Sequence, residues 1–145
     1  MRHSNIIAAY LILMRDGKVL LLKRSNTGYH DGEYSLIAGH VEKGESFSDA
    51  ILREAKEEVN ISIEPQNLTV SHVMHRKSVD DLSERVDVYF VAKKYRGEVS
   101  NAEPGKCAEI QWFDVSELPE KIVPEVKVAI TNTTKAIVYS ELGFH

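Results

Sequence analysis

One cysteine in 145 residues, Cys107, leaves the chain without an internal disulfide framework and without a cysteine-based zinc site. That scarcity agrees with a reducing compartment, and Cys107 is expected to be a small buried hydrophobe. An excess of positive charge is also missing: 18 Lys and Arg face 22 Asp and Glu, for a formal charge of -4. No global field would hold a polymeric nucleic acid, whose backbone needs clustered Lys and Arg. The apolar run Ile6 to Met14 is too short to span a bilayer, and Arg15-Asp16 follows it where a signal peptide would carry small residues. No repeat, low-complexity tract or linker divides the chain. With 43% hydrophobic residues, these absences leave a soluble, cytoplasmic protein with one core, a single domain over residues 1–145, and no membrane partner.

What is present reads as alternating strands and helices. After Asn5 the residues to Met14 are aliphatic, aromatic or β-branched, Arg15-Asp16-Gly17-Lys18 supplies a turn, and Val19 to Leu22 resumes the apolar run, which predicts a hairpin of largely buried strands. Residues 25–32 are dense in turn formers and feed a short strand from Tyr34 that ends at Gly39. Ser46 to Val59 has the composition of a helix, with Ser46 or Ser48 as cap, Asp49 in the first turn and Asn60 as a left-handed stop. Leu68 to Met74 and Val86 to Val91 read as paired strands joined through Arg76 to Arg85. A loop at 100–106, a strand from Glu109 to Phe113, a helical turn at Val115 to Pro119 and a last helix from Pro124 to about Tyr139 complete the reading.

Within the central helix, Glu54, Glu57 and Glu58 stand at i, i+3 and i+4, so three carboxylates project from one face and repel one another. Leu52, Ala55 and Val59 fall on a different face that can pack on a sheet. Clustered hard oxygen ligands suit Mg²⁺, with Mn²⁺ as the alternative, and a cation would offset the repulsion. Glutamate-rich faces that are only solvated share this spacing, so spacing by itself leaves both readings open.

The flanking residues decide more. Gly39, then Glu45 six positions on, then Arg53-Glu54-Ala55-Lys56-Glu57-Glu58 and Ile61 fall at fixed separations. Together they resemble the Nudix box of the MutT-like hydrolases: glycine, five residues, glutamate, seven residues, Arg-Glu, an aliphatic, any residue, Glu-Glu, any residue, glycine, an aliphatic. Asn60 replaces the second glycine and is the other residue that tolerates the left-handed conformation ending a helix. The leading hairpin, Tyr34-Ser35-Leu36, Trp112-Phe113 and Glu117-Leu118-Pro119 extend the resemblance over most of the chain at lower specificity.

The resemblance implies an α+β fold, a mixed β-sheet between α-helices, with the box forming a loop, helix and loop over the substrate. It gives Glu54, Glu57 and Glu58, with the backbone carbonyl of Gly39, the role of metal ligands, and Arg53 paired with Glu45 the role of holding the loop against the helix. The reaction would be attack of water on a diphosphate clamped by Mg²⁺. The general base would be a box glutamate, Glu57 or Glu58, or a loop carboxylate, for which Glu103 is the candidate and Glu109 the substitute. Arg24, Asn26, Tyr29 and Tyr34, before the box, and Lys106 could touch substrate, although turn chemistry explains Asn26, core packing explains Tyr34, and a surface position explains Lys106. Trp112 is expected in the core, His72 and His75 beside a strand, and His40 as shaping the loop.

The implied substrate is a small nucleotide-like molecule, first a nucleoside triphosphate cut to monophosphate and pyrophosphate. A nucleotide sugar or ADP-ribose is the rival, although no proline stands near Arg76 where such subfamilies carry one, nor the tyrosine of dinucleoside polyphosphate hydrolases. A nucleotide-binding sensor without turnover and an isomerase on diphosphate lipids are further alternatives. The box carboxylates are intact, against the first, and Cys107 has no catalytic context, against the second. Monomer and homodimer are both open.

Overall fold

A computed structural model describes residues 2–144. Strand β1 (Ile6–Arg15) and strand β2 (Lys18–Arg24) are joined at Asp16-Gly17, both at positive φ (51° and 76°), as a two-residue hairpin turn of the primed type demands. They pair only at Met14↔Val19 and Arg15↔Lys18, then separate. The edge of β1 so vacated is taken by β4 (Ile37–His40), antiparallel from Ala8↔His40 to Leu11↔Ile37, while the other edge lies parallel to β6 (Glu84–Ala92) from Ile6↔Arg85 to Leu13↔Ala92. Farther out come β5 (Thr69–Lys77), antiparallel to β6, and β8 (Tyr139–Leu142), parallel to β5. β2 carries β3 (Tyr34–Ser35) on one side and β7 (Cys107–Asp114) on the other.

The stretch predicted as one strand from Tyr34 is therefore two, divided at Leu36 so that β3 follows β2 and β4 follows β1. The division carries the backbone from one part of the sheet to the other just before Gly39, which sits opposite Ala9.

Strand β1 is apolar from Ile6 to Met14, and its middle, from Ala8 to Leu13, is covered on both faces. Ala9, Leu11 and Leu13 meet helix α1 (Phe47–Val59) through Ala50, Ile51, Ala55 and Val59; Ile12, with Met74 and Tyr89, meets helix α2 (Pro124–Thr134) through Val126, Ala129 and Ile130. Each fully buried Ile, Leu or Val contributes about 1.5–3 kcal/mol relative to exposure. The predicted mixed sheet between helices is the observed architecture.

Helix α1 starts at a capping box: Ser46 Oγ accepts from Asp49 N (3.0 Å), and Asp49 Oδ2 accepts from Ser46 N (3.2 Å). It stops at Asn60 in the left-handed region, φ 63° and ψ 31°. Three expectations need correction. The connection between β5 and β6 is shorter than Arg76 to Arg85, because Arg76 and Lys77 belong to β5 and Glu84 and Arg85 to β6. Arg76 reads as loop in one dimension, yet its guanidinium is buried against Asp87 of β6, Nε to Oδ2 2.5 Å. Val115 to Pro119 is a turn without helix. The last helix ends at Thr134, where Ala136 at φ 57° reverses the chain and β8 follows; buried His72 ties that return, one ring nitrogen to Ile137 O and the other to Ser140 Oγ, both 2.7 Å. Among the described residues no helix is long and apolar enough to cross a membrane.

Candidate active site

A cleft of about 510 Å³ lies between the outer face of α1, strand β2 and the loop before β7. Burying Ala50, Ile51, Ala55 and Val59 against the sheet turns Glu54, Glu57 and Glu58 outward, and all three line the cleft. Glu103 reaches it from the 100–106 loop, and Arg24, Asn26, Lys106 and Arg53 complete the predicted residues gathered there.

Arg53 is the hub of the box. Its guanidinium donates to both oxygens of Glu45 (Nε to Oε2 2.7 Å, Nη2 to Oε1 3.0 Å), to Glu54 Oε1 (2.6 Å), to Glu57 Oε2 (3.3 Å) and to His40 O (3.4 Å). The two parallel bonds to Glu45 form the fork-on-carboxylate geometry that only arginine supplies. They hold the Glu45 carboxyl at a pKa of about 2, helped by Glu42 N. Glu45 does not line the cleft; it acts on the site through Arg53, as the resemblance implies. Gly39 is also outside the lining residues, and its glycine identity has a steric cause: a Cβ there would collide with the Glu54 carboxyl.

Glu58 sits deepest. Its Oε2 accepts from Ala38 N at 3.1 Å, but burial, with Glu54 and Glu103 beside it, pushes its pKa well above the usual carboxylate range. The donor set therefore has what a hard cation relieves: neighbouring carboxylate oxygens, one of them desolvated, with a glycine cradle that brings Glu54 against the strand. Among the described residues no three acidic, His or Cys side chains stand as a group that could by themselves hold a metal ion. A Mg²⁺ site needs no such group, since that ion keeps several waters and leaves positions to substrate phosphates. The residues fit the implied cation.

The walls are stitched from two loops. Asn26 Nδ2 donates to Gly105 O (3.2 Å) and Ser25 N to Lys106 O (3.0 Å), which joins the loop after β2 to the loop before β7. Arg24 lines the cleft while also donating to Tyr29 O (2.7 Å) and Thr27 Oγ1 (3.1 Å), so it shapes its own loop. Asp31 closes that loop by accepting from Thr27 N and Gly28 N.

Tyr29 and Tyr34 do not reach the cleft. Tyr29 faces a second cavity of about 310 Å³, with His30, Arg76 and Glu125. Tyr34 packs edge-on against Phe113 at 5.0 Å between ring centres and donates its hydroxyl to Glu109, which pushes the phenol pKa to about 12; this engages the substitute base at the far side of β2. The core reading of Tyr34 is the one its packing supports. Cys107 is buried as expected, and Trp112 is only partly buried, with Arg15 stacked 4.3 Å above its ring.

Sequence reading missed Glu42, which lines the cleft 3.7 Å from Arg53, and Ser100 and Asn101, which seat the Glu103 loop. It also missed the buried Arg76–Asp87–Glu125 group, which joins β5, β6 and α2.

Comparison with known proteins gives a match to the NUDIX domain model over residues 3–132. An uncharacterized Nudix hydrolase, YvcI, of Bacillus subtilis is 36% identical over 109 residues, 74% of this chain and 65% of that protein. An ADP-ribose pyrophosphatase of Methanocaldococcus jannaschii is 30% identical over 117 residues, 81% of this chain and 66% of its own length. A NAD-capped RNA hydrolase, NudC, of Chromobacterium violaceum is 31% identical over 122 residues, 84% of this chain but 43% of that protein. The chain thus spans slightly under two thirds, or less, of these relatives. In structure it is similar to a MutT NUDIX hydrolase from Burkholderia pseudomallei, with a TM-score of 0.81 at 25% identity over 89% of this chain and 98% of that one.

Proposed function

The chain belongs to the NUDIX domain family, and from that premise we propose that it is a cation-dependent hydrolase of a diphosphate linkage in a small nucleotide-like substrate. A nucleoside triphosphate, cut to the monophosphate and pyrophosphate, is the substrate of first choice. The observation that carries the reading is the convergence of Glu54, Glu57 and Glu58 from α1 and Glu103 from a separate loop on one 510 Å³ cleft.

In this reading Glu54, Glu57 and Glu58, with the Gly39 carbonyl, hold Mg²⁺ or Mn²⁺. The cation supplies charge neutralisation on the phosphates and acidifies the attacking water. Glu103 accepts the proton of that water as its oxygen bonds to phosphorus, and the bridging P–O bond breaks with its electron pair on the departing phosphate. Arg24 and Lys106 contact phosphate oxygens, and Asn26 ties their two loops together through Gly105 O. Arg53 and Glu45 keep Glu54 and Glu57 in place. Tyr29 lines a separate cavity with Pro124 and Glu125 of α2 and is given no substrate contact. Tyr34 drops out of the binding set.

A second reading, ADP-ribose or another dinucleotide as substrate, draws on the relative named ADP-ribose pyrophosphatase. The test is a Mg²⁺-supplemented panel of nucleoside triphosphates, nucleotide sugars, ADP-ribose and dinucleotides, with Glu57→Gln, Glu58→Gln and Glu103→Gln in parallel and chelator controls. Turnover of a triphosphate, lost in the first two variants, is the expected result. Full activity in both would overturn the metal assignment, an unchanged Glu103→Gln rate at saturating substrate would return Glu103 to the surface, and binding without product across the panel would favour a sensor.

A further inference from the structure

Asn60 occupies the box position that calls for glycine, and its side chain is engaged. At φ 63° and ψ 31° its backbone caps α1, while Nδ2 donates to Ser100 Oγ at 3.0 Å. Ser100 N donates to Val59 O (3.1 Å) and Ala102 N to Glu58 O (3.0 Å), so the loop seats itself on carbonyls that the end of a helix leaves without intrahelical partners. From there Glu103 is held in both directions: its N–H donates to Asn101 Oδ1 (3.1 Å), and its carbonyl accepts from Lys106 N and Cys107 N (2.9 Å each). Asn101 Nδ2 closes the loop on Cys107 O at 2.8 Å.

We infer that Asn60, through Ser100, is a positioning residue that sets the Glu103 carboxylate relative to Glu58 in the cleft, a role the box glycine cannot perform. The inference rests on the reading of Glu103 as the base. Glycine holds the left-handed geometry with less strain than any other residue. A cap chosen for helix stability alone would therefore be glycine; the asparagine accepts some strain and makes one bond that crosses to the catalytic loop. With the bond gone, two backbone contacts still dock residues 100–102, so the loop stays attached but samples more orientations.

The experiment separates stability from rate. Asn60→Gly is expected to unfold at the same temperature as the natural chain or slightly higher, yet to lose kcat by about 2- to 10-fold, the range a single net hydrogen bond spans, with a smaller change in KM. Ser100→Ala should reproduce that loss, Ser100→Thr should avoid it by keeping the hydroxyl, and the Asn60→Gly/Ser100→Ala pair should lose no more than either alone. In a Glu103→Gln background Asn60→Gly should have no further effect on kcat. Two results overturn the inference alone: an unchanged kcat in Asn60→Gly, or the same fractional loss with and without Glu103. A Glu103→Gln variant as fast as the natural chain overturns the base reading, and the inference falls with it.

Discussion

Replacing Arg53 with lysine keeps the charge and removes the fork, so it isolates geometry as the contribution of that residue. The guanidinium makes four bonds to three carboxylates and one to a backbone carbonyl. A single ammonium has three donors radiating from one point and cannot span both oxygens of Glu45 while also reaching Glu54 and Glu57. At the 2.7 and 3.0 Å pair with Glu45 it can keep at most one side, which frees either the 39–45 loop or the two helix carboxylates. Groups that orient metal ligands characteristically carry about 10- to 100-fold in activity or metal affinity, and kcat for Arg53→Lys should fall within that range with Mg²⁺ affinity weakened alongside. Glu45→Gln should lie nearer the lower end, since an amide still accepts one of the two bonds. The pH dependence of stability has a definite sign. Glu45 has a folded pKa of about 2 against an ordinary 4.5. The stabilisation from its ionised form is therefore fully present above about 4.5 and is lost as pH falls toward 2. Urea denaturation of the natural chain and Glu45→Gln between pH 7 and pH 2.5 should show their stability difference shrinking below pH 4.5. Wild-type kcat and Mg²⁺ affinity in Arg53→Lys would refute the reasoning, as would a stability difference independent of pH.

Gly39→Ala should fold, because its Cβ meets the outer part of a flexible Glu54 side chain, but that carboxylate must swing away from Arg53; kcat should drop about 10- to 100-fold while thermal unfolding shifts little, and parallel losses of both would contradict the steric account. Arg76→Ala should destabilise by about 3–5 kcal/mol, because it leaves Asp87 fully buried without its cation and Glu125 without a partner 3.5 Å away. Arg76→Met with Asp87→Leu should recover most of that loss in denaturant titration, and a double variant no better than the single one would show that the pair's packing, not its charge, is what counts.

The box was legible in the sequence because its constraints are local. Helical spacing alone puts Glu54, Glu57 and Glu58 on the face opposite Ala55 and Val59, and the Ser46 cap and Asn60 stop depend on hydrogen bonds within a few residues. The β1–β2 turn and the burial of β1 follow from Asp16-Gly17 and an apolar run in the same way. What failed was long-range. Tyr29 lies five residues from Arg24 and Tyr34 five beyond that, yet only Arg24 faces the cleft, because the loop is folded by Asp31 and the chain is handed from β2 to β1 at Leu36. Arg76 passed for loop because its partner Asp87 arrives from the next strand, and β8 went unread, with the last helix carried on to about Tyr139, because only pairing with β5 makes it a strand.

By itself, then, the sequence determined the carboxylate helix and its caps, set by separations that the covalent chain fixes, while the Arg53–Glu45 clamp followed from the family resemblance that the box residues mark. Tertiary structure alone decided that Glu103 and Lys106 join the cleft while Tyr29 and Tyr34 do not. Loops acquire a direction only from what they are docked on, here the carbonyls of Glu58 and Val59 at the end of α1 and the backbone of Gly105 and Lys106.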